Sequence, residues 1–443
     1  MSENSDKKMA KNNVYSEVVA NNLCIGCGIC VLICPEKALD MVVCNGTYTP
    51  RVAILGACIS CGTCISSCPG IGFDGGIDNL EVALKKFSGD DCHEAWVASA
   101  KDRKIRAAAS AGGVITAIST FAIDKGIVDG IVLTRMSRED PLRGEMFFAR
   151  TADECRDSIG SKYCPVSLAA VEELLDPELR VLVVGLPCHI QAARFVRGRL
   201  GAEKNTLYLG LVCGGHMVRF EGTDYWLRRF GIAQDRLGSI IYRTGTLPGT
   251  MYFLLRDGSK IALSHLAFWR HLFRGLFWFS PFRCRLCIDC VSMFADISCG
   301  TNWGERLGAT GSTLVVARTA KGNNLFRDII NSGVVEAQPI SKQYVRESYK
   351  PYLRNVMANS KIRGEFARRL GRSFFHWPGD SAIISNLDRV AFYMQRRRSE
   401  LVACKWLWPL NPPFLTTKAA ITCALRVAGG LLRKLRGLIR ARP

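Results

Sequence analysis

A chain of 443 residues with 48% hydrophobic content can bury two or three domain cores, which excludes a disordered protein and a small disulfide-stapled scaffold. The net charge is +20, yet residues 1–90 carry seven Lys and Arg against nine Asp and Glu, while residues 391–443 carry eleven against one. Half of the excess positive charge therefore sits in the last 53 residues, which predicts an anionic partner for the tail and argues against a body built for nucleic acid.

The N-terminus is polar, without the apolar stretch of a secretory signal, and no window offers about 18 uninterrupted apolar residues, so a cytoplasmic protein without a spanning helix is expected. Two cysteine runs with one spacing then follow each other: Cys24, Cys27, Cys30, Cys34-Pro35 and Cys58, Cys61, Cys64, Cys68-Pro69. Each is C-x2-C-x2-C-x3-C-P, the two-cluster ferredoxin signature, in which the fourth cysteine of one run ligates the other cluster. Cys24, Cys27, Cys30 and Cys68 are thus expected on one 4Fe-4S cluster, and Cys58, Cys61, Cys64 and Cys34 on the second. Three thiolates must converge from a tight loop, which Gly26, Gly28 and Gly62 permit. Zinc sites favour C-x2-C pairs over a triple with a distant fourth cysteine, and iron–sulfur thiolates fit a reducing compartment better than disulfides do.

Between the runs, Leu39–Val43 and Tyr48–Ile54 flank Asn45-Gly46, a hairpin signal. A helix is predicted from Ile77 to Phe87, after which Glu94–Ala100 opens a second domain. Ser110-Ala-Gly112-Gly113 precedes a helix-like run to Ile123, a turn whose free N–H groups suit a phosphate or whose glycines serve tight packing. Ile127–Thr134, Val181–Val184 and Leu207–Val212 read as buried strands, the last two running into Cys188-His189 and Cys213. Ligands gather at the carboxyl ends of such strands, so Cys188 and Cys213 are expected on one rim of a sheet. Ile240–Arg243 and Met251–Leu263, with an Asp257-Gly258 turn, read as antiparallel, and the aromatic run Phe268–Phe282 as core. Cys284 and Cys287 have ligand spacing; with Cys188 and Cys213 they supply four thiolates for a third cluster, and Cys290 and Cys299 stand in reserve. A zinc site or structural cysteines fit the same spacing.

In this order, Ser110–Thr116, Gly160–Tyr163, Gly185–Cys188, Leu211–Cys213, Cys284–Cys287 and Ala295–Ser298 resemble the coenzyme F-420 (deazaflavin) hydrogenase and dehydrogenase beta-subunit family over about residues 92–375. The resemblance implies FAD held without a dinucleotide-binding fingerprint, beside a 4Fe-4S cluster on Cys188, Cys213, Cys284 and Cys287. It assigns Ser110, Gly112, Gly113 and Thr116 to flavin phosphate contacts, and Ser161, Lys162 and Tyr163 to the neighbourhood of the flavin or its reaction partner. Lys162 is expected to stabilise charge on a reduced flavin, against a plain loop lysine. His189, which departs from the family pattern, is a candidate proton donor or a buried structural histidine.

The expected architecture is α+β: a two-cluster ferredoxin domain (1–90), an α/β flavin-binding domain (91–385) and a basic amphipathic helical tail (386–443). Along that tail Lys418, Arg426, Arg433, Lys434, Arg436 and Arg440 fall opposite Ile421, Leu425, Ala428, Leu432, Leu435 and Ile439, so residues 411–443 are expected on an anionic membrane surface, with docking on a domain or partner as the alternative. The functional expectation is an iron–sulfur flavoprotein oxidoreductase with an external electron carrier and a reducible small-molecule acceptor, deazaflavin or another, with a place in polysaccharide metabolism open. Its competitors are a non-catalytic electron-transfer subunit of a larger redox complex and an iron–sulfur sensor that binds nucleic acid.

Overall fold

The structure is a computed structural model that describes residues 13–54, 56–71, 80–213, 218–245, 247–265, 267, 279–304, 311–353 and 356. The basic tail and the aromatic run Phe268–Trp278 lie outside them. The strands are β1 (Leu39–Cys44), β2 (Thr47–Val52), β3 (Glu94–Ala100), β4 (Gly130–Met136), β5 (Gly144–Ala149), β6 (Val181–Gly185), β7 (Thr206–Leu211), β8 (Leu237–Thr244), β9 (Thr250–Leu255), β10 (Lys260–Ser264), β11 (Ile297–Thr301), β12 (Thr313–Ala317) and β13 (Val335–Pro339). Eight of them form one mixed sheet in the order β13-β3-β12-β11-β7-β6-β4-β5.

The centre of that sheet follows from its apolar runs. Val181-Leu-Val-Val-Gly185 and Thr313-Leu-Val-Val-Ala317 are buried at every position, as a strand covered on both faces requires. The pairs β4–β6, β6–β7 and β7–β11 are parallel. Since β12 runs antiparallel to both β11 and β3, β3 shares their direction. The carboxyl ends of β3, β4, β6, β7 and β11 therefore lie on one rim. After β7 the chain leaves to build the small β10-β9-β8 sheet and the Cys284–Cys290 loop, then returns as β11 beside β7. Asp296 anchors that return: buried at 1% exposure, it accepts from the Tyr208 amide (2.9 Å) and Thr319 Oγ1 (2.7 Å) and pairs with Lys321 (3.3 Å). This gives the Ala295–Ser298 segment a structural role.

One face of the sheet is covered by the helices Val114–Asp124 and Ala320–Asn331. The other packs on the Pro187–Arg199 helix and on Ile25, Cys27, Ile29 and Leu32 from the first cysteine run. The ferredoxin segment therefore shares a core with the body, each buried aliphatic side chain contributing about 1.5–3 kcal/mol. Gly28, at φ +77°, marks the closest approach: a Cβ there would stand 2.0 Å from Ser167 Oγ and 2.8 Å from the Ala169 amide nitrogen. The predicted hairpin forms, with Asn45 and Gly46 both at positive φ as a two-residue turn needs. The Leu80–Ser88 helix packs Ala83 and Phe87 against Leu314 and Val316 of the body, although the expected boundary at residue 90 groups it with the ferredoxin part.

Candidate metal centre

The two cysteine runs fold as near copies. Each triple wraps a short helix, Ile29–Leu32 or Thr63–Ser66, whose N-terminal glycine is left-handed (Gly28 φ 77°, Gly62 φ 74°). Gly26 and Ser60, at matching positions, are left-handed too. Burial, then repulsion from Cys68, pushes the Cys24 thiol up to about 12, and Cys27 and Cys30 also feel Cys68. Burial likewise raises Cys64, whose neighbouring thiols are Cys58, Cys61 and Cys34. The fourth cysteine of each run thus lies with the triple of the other.

The chemistry of these donors fits a cubane. Clustered thiolates repel one another, and where they are buried they ionise only beside compensating positive charge, which iron supplies. Backbone N–H groups of Gly26, Ala38 and Gly70 donate to the sulfurs of Cys24 (3.4 Å), Cys34 (3.4 Å) and Cys68 (3.3 Å), bonds that favour sulfur carrying negative charge. Among the described residues, no three His, Cys, Asp or Glu side chains close up far enough to hold a single metal ion. A lone tetrahedral ion would need sulfurs about 3.8 Å apart, given Zn–S near 2.3 Å.

The two sites differ in exposure. Cys27, Cys30 and Cys68 are buried at 5–9%, whereas Cys61 is exposed beside Ile59 at 62%, in a shallow surface hollow that Cys34, Cys58 and Cys64 also line. Among the described residues, the buried site is the one next to the third group of thiols. Burial raises Cys188 far above the usual thiol range, and Cys213, Cys287, Cys284 and Cys27 add to the shift. The chain order explains the gathering: Cys188 opens the helix after β6, Cys213 follows β7, and the Cys213 amide donates to the Cys290 carbonyl (2.9 Å), drawing in the Cys284–Cys290 loop. Cys188 and His189 occupy the first turn of the helix that Pro187 opens. Of the reserve cysteines, Cys290 lies near Cys287 and Cys213, while burial alone raises Cys299, which sits within β11.

Arg283 joins the buried site to the third group, and sequence reasoning missed it although it directly precedes Cys284. At 6% exposure it donates from Nε to the Gly70 carbonyl (2.5 Å) and from Nη2 to the Pro69 carbonyl (2.9 Å), just beyond Cys68. Its charge offsets part of the burial that raises Cys68 and Cys284.

The segments expected at a flavin also meet. Ser110 Oγ accepts from the Ser161 amide (2.8 Å) and donates to the Arg243 carbonyl (2.8 Å). Gly112 and Gly113 are both left-handed, and Gly113 caps the Val114–Asp124 helix, with Thr116 buried in its first turn. The Tyr163 ring lies 5.8 Å from that of Tyr242 and 5.5 Å from that of His265. Burial pushes Tyr352 up to about 12, and Cys290, Cys213 and Tyr163 are among its neighbours, so the Ser161–Tyr163 segment adjoins the third thiol group. Lys162 donates to the carbonyls of Ser158, Ile159 (3.1 Å) and Gly160 (2.9 Å), and burial lowers it to about 7. His189 is 1% exposed and lowered by burial to about 4, hence neutral near pH 7, with Nδ1 accepting from the Leu186 amide (3.4 Å).

Residues 95–172 match the N-terminal part, and residues 179–343 the C-terminal part, of the coenzyme F420 hydrogenase/dehydrogenase beta subunit. The chain belongs to the coenzyme F420 hydrogenase/dehydrogenase beta-subunit family. Residues 17–40 and 55–75 each match a 4Fe-4S binding domain, so this family member carries two ferredoxin-type cluster motifs and is an iron–sulfur protein of the redox class. The F(420)H(2) dehydrogenase of Methanosarcina mazei has a subunit that is 29% identical over 70% of this chain and 83% of its own length. The coenzyme F420 hydrogenase subunit beta of Methanothermobacter thermautotrophicus is 24% identical over 60% of this chain and 91% of its own. A chain of the F420-reducing [NiFe] hydrogenase complex from Methanosarcina barkeri superposes with a TM-score of 0.49 at 20% identity, covering 64% of this chain and 96% of that one. Among the described residues, no helix is long and apolar enough to cross a membrane.

Proposed function

We propose that the chain is the electron-transfer subunit of a larger redox complex, moving electrons between a partner protein and a flavin held in its own body. The observation that carries this reading is the succession of three thiol groups: one exposed, one buried, and a third beside the buried one through Cys27 and Cys188. Cys34, Cys58, Cys61 and Cys64 hold the cluster that faces the partner. Cys24, Cys27, Cys30 and Cys68 hold the buried one, and Cys188, Cys213, Cys284 and Cys287 a third 4Fe-4S cluster. When bound, such clusters relay single electrons and FAD exchanges them for two-electron chemistry with an organic acceptor. The Gly112–Gly113 turn, with Ser110, Thr116 and Ser161, binds the flavin; Tyr163 walls it off from water. Lys162, near neutrality in pKa, exchanges a proton there, and His189 presents a neutral imidazole.

The names of the relatives make a deazaflavin the first acceptor to test, and their naming as subunits favours a partner protein. The basic tail, residues 411–443, rests on an anionic membrane surface in this proposal. The test is anaerobic: reduced protein is mixed with deazaflavin, quinones and nucleotide sugars, alone and with cell extract fractions. Reoxidation that requires a protein fraction supports the subunit reading. Full turnover by the isolated chain with a small molecule would replace it with a stand-alone reductase, and the absence of any flavin spectrum would remove the flavin from the account.

A further inference from the structure

Among the described residues, Arg197, Arg243 and Arg283 are the buried arginines, and the first and last of these have oxygen partners along their guanidinium groups. Arg197, fully buried, donates to Thr206 Oγ1 (2.8 Å) and the carbonyls of Leu174 (3.3 Å), Asp176 and Leu179 (2.7 Å). Arg283 grips the two carbonyls beyond Cys68. Arg243, at 3% exposure, donates only from Nη1, to Thr301 Oγ1 (3.1 Å), while Nε and Nη2 are buried without any hydrogen-bond partner. Those two nitrogens share one edge of the guanidinium, the edge that grips two oxygens of a phosphate or carboxylate side by side. Leaving a cation buried and half unpaired is unfavourable, and a bound anion relieves it.

The location selects phosphate. Arg243 stands next to last in β8, and its own carbonyl accepts from Ser110, whose hydroxyl also takes the Ser161 amide. Thr244 Oγ1 donates to the Ala107 carbonyl (3.2 Å), a second tie to the same segment. The partner of Nη1, Thr301, pairs across the sheet with Thr313, and a Cβ on Gly112 would stand 3.1 Å from the Thr313 amide nitrogen. The guanidinium is therefore anchored one residue away from the backbone that abuts the Gly112–Gly113 turn. That turn opens an 11-residue helix whose first N–H groups have no intrahelical acceptor. Two further features hold Arg243 in place. Its Cζ lies 5.0 Å from the Trp303 ring centroid, and Gly249 leaves room for its stem, since a Cβ there would meet Arg243 Cγ at 2.9 Å.

We infer that the free edge of Arg243 binds a phosphate of the flavin nucleotide at the Gly112–Gly113 turn, with Trp303 and Thr301 fixing the guanidinium. The inference rests on the flavin reading above and adds a positioning residue that no motif of the sequence marks. Isothermal titration of the full chain under anaerobic conditions, with FAD, FMN and riboflavin, tests it in wild type, Arg243→Met and Arg243→Lys. Arg243→Met is expected to weaken FAD and FMN at least about tenfold and leave riboflavin unchanged, with Arg243→Lys in between. Unchanged riboflavin binding also reports an intact fold. Equal FAD affinity in wild type and Arg243→Met, or an equal loss for riboflavin, overturns the inference. Should Arg243→Met fail to fold, Arg243→Lys decides: loss confined to FAD and FMN supports the phosphate contact, and none overturns it. If wild type binds no flavin, the flavin reading fails on its own; stabilisation by inorganic pyrophosphate that Arg243→Met loses then retains an anion site at Arg243, and its absence removes that as well.

Discussion

Replacing Arg283 with Gln probes the junction between the ferredoxin segment and the body. The substitution removes two buried, charge-assisted hydrogen bonds, at 2.5 and 2.9 Å, and leaves the Gly70 and Pro69 carbonyls without their donors. At about 1.5–3 kcal/mol for each such bond, the stability lost is about 3–6 kcal/mol. It also removes a cation that acts on both Cys68 and Cys284. Unit charges about 8 Å apart at an effective dielectric of about 20 interact by about 2 kcal/mol, which for one electron is roughly 85 mV. Reduction adds negative charge, so losing the cation lowers the midpoint potential of a cluster bound there. Redox titration followed by electron paramagnetic resonance, at full iron content, is expected to show a negative shift of that order in Arg283→Gln. Arg283→Lys keeps the charge and loses the fork, so it should lose stability with little shift. A potential in Arg283→Gln within about 20 mV of wild type would refute the shared-cation reasoning.

Gly28→Ala should destabilise far more than Gly62→Ala. Both positions are left-handed, a strain of about 1–2 kcal/mol for a residue with a Cβ, but only at Gly28 does the new atom meet Ser167 and Ala169, whereas Gly62 has nothing within 4 Å; equal urea midpoints would contradict the docking described. Lys162, lowered by burial to about 7 from an ordinary 10.5, is neutral in the folded protein over a range where the unfolded chain still binds its proton. Folded stability therefore rises with pH from about 7 towards the unfolded value, by up to about 1.4 kcal/mol per unit, and urea titrations of Lys162→Met at about pH 7 to 9 should lack that rise; parallel curves would refute the shift. Cys188→Ser should lose about four irons per chain on the third-cluster reading and Cys299→Ala none, checked by iron analysis.

Much of this arrangement is written in local sequence. The paired cysteine runs carry both ligand sets and their exchange, because three thiols two residues apart leave the chain few geometries. The uninterrupted apolar runs of β6 and β7 place Cys188 and Cys213 on one rim, since parallel neighbours end on the same side. The contribution of the Cys284–Cys290 loop depends on a crossover that only the return of β11 beside β7 brings about. Arg243 and Arg283 are illegible for another reason. An arginine's role here is set by which carbonyls or oxygens lie at the end of its side chain, and for Arg283 those belong to residues 213 and 214 positions away. The start of the Pro187–Arg199 helix is legible too, since proline favours a first helical turn and so puts Cys188 and His189 on the helix.

In the proposed electron path the two ferredoxin sites feed a third cluster and a flavin within the body. Iron, sulfide and flavin analysis of anaerobically purified full-length protein, with Mössbauer spectra of the iron, tests it most directly. About twelve irons in three cubane clusters and one flavin per chain are expected, whereas about eight irons without flavin would rule that path out and leave a ferredoxin joined to an inert body.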